Sequence, residues 1–401
     1  MTPPSPDLAD PALYGAGDPV PVWRRLRAEA PVYWNERPDQ DGFWALTRYR
    51  DVAAVYKDHH TFTSQRGMRL DLDQRASDAA AGKMLIVTDP PRHHQIRRLI
   101  SSAFTARTAS RLEDTMRATV GRILDDALAA GTVDFADVAA QLPVSVICDL
   151  LGVPPADWAF MLDRTRLAFG DRGGAVDPAR AALAAAEAHA DLLTHYADLV
   201  DFRRREPGED LITAMAHGDI DGVPLTDEEI FLNCDGLISG GNETTRHASI
   251  GGVLALIGHP DQWHRLRTEP AVLATAVPEV LRYTSPALHV LRTAVVDTTI
   301  GDQPIRAGDR VTLWNAAANR DDEIFTDPDG FDITRTPNQH LAFGAGGHYC
   351  LGGALANTEL RVLFGELARR VDQVELAGPV RRLNSNLIWG IESMPVTLRE
   401  S

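Results

Sequence analysis

The chain of 401 residues predicts a mainly α fold with a small β region. Three observations predict it. Several long stretches repeat apolar residues at helical spacing. Runs with strand character are few and short. Proline and glycine are scattered as turn signals, with no linker-like cluster and no internal repeat, so one domain is expected over residues 1–401. In chain order, helices are expected at 20–30, 91–104, 108–130, 137–151, 178–205, 226–258 and 353–370. The second opens on prolines, whose missing N–H is no loss in a first turn. Strands are expected at 32–34, 43–47, 290–296, 310–313 and 395–398. The β-richer parts therefore lie near 31–60, near 286–315 and at the C-terminal end.

Composition narrows the function. A hydrophobic content of 44% is that of an ordinary globule, and the length allows a large core. A net charge of −16 argues against nucleic acid as a partner. The three cysteines, Cys148, Cys234 and Cys350, are too dispersed for a disulfide scaffold or a zinc site, which fits a reducing compartment. The N-terminus shows no basic segment followed by an apolar one, and no stretch has the apolar length of a membrane span. A cytoplasmic, monomeric protein without a membrane partner is expected.

The most informative segment is Phe343 to Gly352, FGAGGHYCLG, just ahead of the 353–370 helix. It carries Cys350 at the end of a glycine-rich loop. A thiolate is a strong iron ligand, and haem iron held by one thiolate gains electron density that favours O–O cleavage. Glycines before the cysteine would let the backbone pass close to a planar ligand. The following helix would aim its N-terminal amides at the sulfur and stabilise the anion.

A second pattern, LISGGNETT, spans 237–245 within the longest helix. Two adjacent glycines inside a helix cost about 1 kcal/mol each relative to alanine. Either close helix packing or a local opening of the hydrogen-bond ladder explains them. Thr244 follows Gly240 by four positions and shares its face. A third pattern, Glu279-Val280-Leu281-Arg282, spaces an acid and a base for an ion pair, which on a surface contributes only tenths of a kcal/mol. A fourth, DPPRHHQIR at 89–97, sets His93 and Arg97 four apart at the start of a helix.

Together these segments resemble the cytochrome P-450 monooxygenases over nearly the whole chain. In that family's haem signature, Phe343, Gly344, Gly346, His348, Cys350 and Gly352 fill the fixed positions. The resemblance implies the family's fold, with haem b between the long oxygen-activation helix and the cysteine loop, and Cys350 as the iron's thiolate ligand. Gly240, Gly241, Glu243 and Thr244 match the oxygen-activation motif. Thr244 would then hold bound oxygen and a water, and Glu243 would relay protons from solvent. Glu279 and Arg282 would be buried and joined by Arg320 or Arg335, of which Arg335 fits the motif better. His93, Arg97, Arg292 and His348 match the family's donors to the haem propionates.

From position within the resemblance, Met84, Leu85, Phe169, Asn233, Leu237, Ala287, Leu288, His289 and Trp389 are candidate substrate-pocket residues. His289 is either a substrate contact or a satisfied loop histidine. The implied reaction uses O2 and electrons from NAD(P)H through a reductase and a small acidic ferredoxin. Arg98, Arg107, Arg111 and Arg361 could form its docking patch. The substrate would be a small apolar molecule, free or carrier-tethered, in the tailoring of a secondary metabolite. A sterol or fatty-acid hydroxylase of the same family is the alternative. A peroxide-driven peroxygenase is weakened by the acid–threonine pair, and a non-catalytic haem sensor would have no use for it.

Overall fold

The computed structural model describes residues 6–37, 41–70, 74–169 and 178–400. Its centre is the helix Asp227–Gly258, 32 residues or about 48 Å long. The start is fixed by a capping box: the Thr226 hydroxyl accepts from the Glu229 amide at 3.2 Å, and the Glu229 carboxylate accepts from the Thr226 amide at 2.8 Å. Three acidic residues in the first turn, Asp227, Glu228 and Glu229, complement the helix dipole.

This helix shares one apolar core with Ala106–Ala130, Phe135–Leu151, Pro178–Arg205, Leu273–Thr284 and Gly353–Arg370. A second glycine pair makes the tightest of these contacts possible. A Cβ on Gly252 would lie 2.5 Å from the Phe364 ring and 2.8 Å from Val280, and one on Gly251 would lie 2.8 Å from Thr284. Close helix packing therefore belongs to Gly251 and Gly252. Gly240 and Gly241 are different: a Cβ on Gly241 would make an ordinary 3.4 Å contact with Ile147, and one on Gly240 would meet nothing within 4 Å.

The β region is one five-stranded sheet and several small pieces. The sheet runs Val32–Asn35, Phe43–Leu46, Arg310–Trp314, His289–Ala294, Phe62–Thr63, with only the pairing of Phe43–Leu46 and Arg310–Trp314 parallel. Trp44 faces Val311 and Arg292 faces Val311 from the other side, so the register carries Arg292 into the middle of the sheet. A three-stranded sheet joins Val371–Leu376, Pro395–Glu400 and Thr132–Asp134. Two further apolar clusters lie at the sheet: one around Trp23, Leu288 and Trp314, the other around Val52, Ile305 and Leu313.

The expected helices all occur within two residues of their expected starts. The 91–104 helix ends earlier, at Ser101, and continues as a tight turn over Ser102–Phe104. Tyr49–Lys57, inside a stretch expected to be β-rich, is a helix. The short helices Trp158–Phe169, Leu211–His217 and Pro260–Thr268, and the short strands Phe62–Thr63 and Thr132–Asp134, carry too few residues to show a period.

Candidate active site around the cysteine loop

The loop from Phe343 closes on itself before the helix begins. The Cys350 amide donates to the Phe343 carbonyl at 2.9 Å, and the Tyr349 amide to the Gly346 carbonyl at 3.1 Å. Gly344 and Gly346 sit at φ +65° and +68°, a region that penalises any Cβ. At Gly346 a Cβ would also lie 2.4 Å from the Tyr56 carbonyl oxygen. These two glycines therefore bend the loop over the Tyr49–Lys57 helix. That corrects the expectation that all the loop glycines serve the approach of a planar ligand. Gly352 has ordinary φ, and its Cβ would find only the Phe104 ring at 4.0 Å.

Cys350 is half-buried, and burial raises its thiol above the ordinary value. The Gly352 N–H and the Arg97 guanidinium oppose that by favouring the thiolate. The other two cysteines are fully buried core thiols, Cys148 pushed up to about 12 by burial.

Four nitrogen bases gather beside the loop. The rings of His93 and His348 stand 4.1 Å apart, tilted by 42°. Arg97 donates to the Tyr349 carbonyl at 2.8 Å. Arg292 is buried and donates to the Leu291 carbonyl at 2.8 Å. They disfavour one another's charge: His93 is pushed down to about 4 and His348 to about 2, by burial first and then by neighbouring cations. The acid beside them is Asp89, which sequence reasoning did not single out. Its carboxylate accepts from the Ser64 amide at 3.0 Å and the Ser64 hydroxyl at 2.6 Å, and that hydroxyl lies 3.3 Å from His348 Nε2. Both ring nitrogens of His93 are buried without a partner. A crowd of mutually repelling bases with orphaned donors fits the two carboxylates of a haem.

Behind the loop, Glu279 and Arg282 are fully buried and form a two-pronged pair, Nε and Nη2 each 2.8 Å from a carboxylate oxygen. Arg335 Nε donates to Glu279 Oε2 at 3.0 Å. Two partners were missed from sequence: Asn338, which donates its side-chain amide to Oε2, and the Asp332 backbone amide, which donates to Oε1, both at 3.0 Å. Arg282 also donates to the carbonyls of Asn319, Pro328 and Gly330. Arg320, the other candidate, lies elsewhere: it donates to the Tyr283 carbonyl and its guanidinium sits 5.0 Å from the Trp389 ring centre and 5.1 Å from that of Tyr283.

On the long helix, the Thr244 hydroxyl donates to the Gly240 carbonyl at 2.8 Å, one turn back. Glu243 is buried and turned to other partners. Its carboxylate lies 3.3 Å from Arg246 Nη1 and 3.3 Å from His247 Nε2. Those two neighbours outweigh desolvation and hold its pKa down at about 2. The resting Glu243 is thus an ion-paired carboxylate and not a hydrogen-bond partner of Thr244.

The candidate pocket residues separate into two groups. Met84, Leu85, Leu237 and Ala287 are half-buried. A Cβ on Gly236 would meet the Met84 methyl at 2.5 Å, and Ala287 forms a β-bridge with Ile388. Asn233, Leu288, His289 and Trp389 have other work, which corrects their assignment. Asn233 accepts from the Leu85 amide at 2.9 Å and donates to the Lys83 and Glu229 carbonyls, clamping the 83–85 segment to the helix. Leu288 is core. His289 is the satisfied histidine: Nδ1 donates to the Asn386 carbonyl at 3.0 Å and Nε2 accepts from the Leu70 amide at 3.4 Å. Trp389 packs edge-on against Trp23 and under Arg320. Phe169 ends its helix, and its side chain lies outside the described residues.

The comparisons with known proteins agree with this geometry. The cytochrome P-450 family profile matches residues 194–375. Cytochrome P-450 NovI of Streptomyces niveus is 40% identical over 394 residues, covering 98% of this chain and 96% of its own. Linalool 8-monooxygenase of Pseudomonas putida is 36% identical over 98% of both chains. The crystal structure of the cytochrome P-450 OxyD, involved in the biosynthesis of vancomycin-type antibiotics, superposes with a TM-score of 0.90 at 36% identity, over 98% of this chain and 100% of that one. Full-length kinship and a cysteine loop set among crowded bases thus lead to one conclusion: the chain belongs to the cytochrome P-450 family and is a haem-dependent monooxygenase.

Proposed function

We propose that this enzyme inserts one oxygen atom of O2 into an apolar small molecule, by hydroxylation or epoxidation, as a tailoring step of secondary metabolism. The overall balance takes substrate, O2, two electrons and two protons to oxygenated product and water. The electrons come from NAD(P)H through a reductase and a small acidic ferredoxin. The observation that carries the assignment is the group His93, Arg97, Arg292 and His348 beside Cys350, with Asp89 beside them. Kinship to NovI and to OxyD, the latter an antibiotic-biosynthesis protein, supports secondary metabolism, and linalool 8-monooxygenase supports an apolar substrate.

Haem b, when bound, supplies the redox chemistry that activates oxygen. Cys350 would hold its iron, and the four bases its propionates. Glu279, Arg282 and Arg335 fix the 328–338 segment that leads into the cysteine loop. Thr244, resting on the Gly240 carbonyl, is placed to exchange that bond for one to oxygen or water. Glu243 would supply protons by leaving its pairing with Arg246 and His247. Met84, Leu85, Leu237 and Ala287 would shape the apolar wall.

Arg98, Arg107, Arg111 and Arg361 are all exposed on the helices that flank the cysteine loop and would receive the ferredoxin. Two of them are already paired, Arg361 with Glu113 at 3.1 Å and Arg111 with Glu209 at 3.6 Å. The test is to titrate the ferric holoenzyme with macrolides, aromatic acids, terpenoids, sterols, fatty acids and carrier-tethered amino acids, then incubate responders with heavy-isotope dioxygen. A blue-shifted Soret band with one class and a single labelled atom in the product is the expected result. A product without label overturns the reaction, and a response confined to sterols or fatty acids overturns the substrate class.

A further inference from the structure

Glu243 does not hold its resting position unaided. His247, one turn further along the helix, is fully buried with Nε2 3.3 Å from the Glu243 carboxylate. Its other nitrogen, Nδ1, accepts from the Ile391 backbone amide at 3.3 Å. A nitrogen that accepts an N–H carries no hydrogen, so the ring proton sits on Nε2 and faces the carboxylate. The ring is closely held: a Cβ on Gly390 would meet Leu383 Cδ1 and lie 2.9 Å from His247 Nδ1 and Cε1.

The segment that fixes His247 pairs through its backbone with the stretch that carries Ala287, a candidate pocket residue. Leu288 donates to the Leu387 carbonyl at 2.8 Å, Trp389 donates to the Pro286 carbonyl at 2.8 Å, and Ile388 bridges Ala287. One residue beyond Trp389, the chain meets the imidazole. A shift of the 387–389 segment beside Ala287 therefore reaches Glu243 through one backbone hydrogen bond and one side chain.

We infer that His247 is a positioning residue for Glu243, tying the proton-supplying carboxylate to the 387–391 segment that pairs with Ala287. The inference rests on the proposed role of Glu243 in proton delivery. His247 touches neither haem nor substrate in this scheme. It acts by fixing where the carboxylate rests and, through Ile391, by making that position depend on the segment beside Ala287. Arg246 is the second anchor, so losing His247 leaves Glu243 paired but free to turn on one contact.

The experiment measures ferredoxin-supported NADPH oxidation by the holoenzyme, in light and heavy water, with linalool as the probe compound. Glu243→Ala, His247→Leu, His247→Gln and Gly390→Ala are compared, with haem content and melting temperature as controls. Losing a 3.3 Å polar contact with a charged group predicts that His247→Leu slows the reaction by about tenfold and enlarges the solvent isotope effect, as Glu243→Ala does. His247→Gln keeps an N–H toward Glu243 and restores most of the rate. Gly390→Ala, which leaves every polar group in place but crowds the ring together with Leu383, falls between. Histidine-selective NMR shows the Nε2–H form of His247 in the wild type and its disturbance in Gly390→Ala.

A slowed Glu243→Ala beside wild-type behaviour in His247→Leu and Gly390→Ala overturns the inference and leaves Glu243 its role. An unaffected Glu243→Ala removes that role and the inference with it. The Nδ1–H form in the wild type also overturns it. Should His247→Leu lose haem, the Gln and Gly390 variants decide.

Discussion

Two buried glutamates in this molecule are driven in opposite directions. Glu243, beside Arg246 and His247, is held down at about 2; Glu359, wholly buried and with Oε2 unpartnered, is pushed up to about 8. A depressed carboxylate contributes stability that is present above its ordinary 4.5 and is lost as pH falls toward 2. A raised one contributes stability that is present below 4.5 and is lost as pH rises through about 8. Denaturant midpoints against pH therefore separate them: Glu243→Gln flattens the acid limb, and Glu359→Gln the limb between 4.5 and 8. Thr244→Ala, which removes the hydroxyl bonded to Gly240, should keep haem and substrate binding but divert electrons to hydrogen peroxide. Tight coupling of NAD(P)H to product in that variant would contradict the role of Thr244.

Single residues were legible where a motif fixed them and obscure where only packing did. Cys350, Glu279 and Arg282 could be named because their spacing is local. Trp389 and His289 could not be placed, because an aromatic ring or an imidazole in a loop reads the same whether it faces a ligand or a cage of neighbours. Asn338 and Asp89 act across long sequence separations and leave no local pattern.

Among elements, the cysteine loop and its brace carry the sharpest expectations. Gly346→Ala places a Cβ at φ +68° and against the Tyr56 carbonyl. The left-handed conformation alone costs about 1–2 kcal/mol, so the variant should melt lower and bind haem less tightly. Arg335→Met leaves Glu279 with one fewer cation in a dry site; breaking such a buried pair costs about 3–5 kcal/mol. An unchanged melting temperature for Arg335→Met would show that Asn338 and Arg282 suffice.

Long helices were readable because a 3.6-residue period needs several turns to declare itself. Tyr49–Lys57 and the two-residue strand Phe62–Thr63 were missed for want of length. The paired glycines show the limit of composition alone. The long helix holds two such pairs, and only the structure shows that Gly251 and Gly252 serve helix packing while Gly240 opens onto free space.

At the scale of the whole molecule, the long helix, its core partners and the mixed sheet bring distant segments of the chain, at 93–97, 240–247, 279–292 and 343–352, around one place. The proposed landing site for an acidic ferredoxin is the set of exposed arginines around the cysteine loop, since a net charge of −16 would repel such a partner from most of the surface. Charge reversal of Arg98 and Arg107 together should lower the ferredoxin-supported rate and flatten its dependence on salt. An unchanged rate and salt dependence would place the docking site elsewhere.

The central claim is that Cys350 holds haem iron as a thiolate. The most direct test is the carbon monoxide difference spectrum of the reduced protein, compared between wild type and Cys350→His. Thiolate ligation gives the red-shifted band in the wild type and its replacement by an imidazole-type band in the variant. A thiolate band that survives the substitution, or that is missing from haem-loaded wild-type protein, would contradict it.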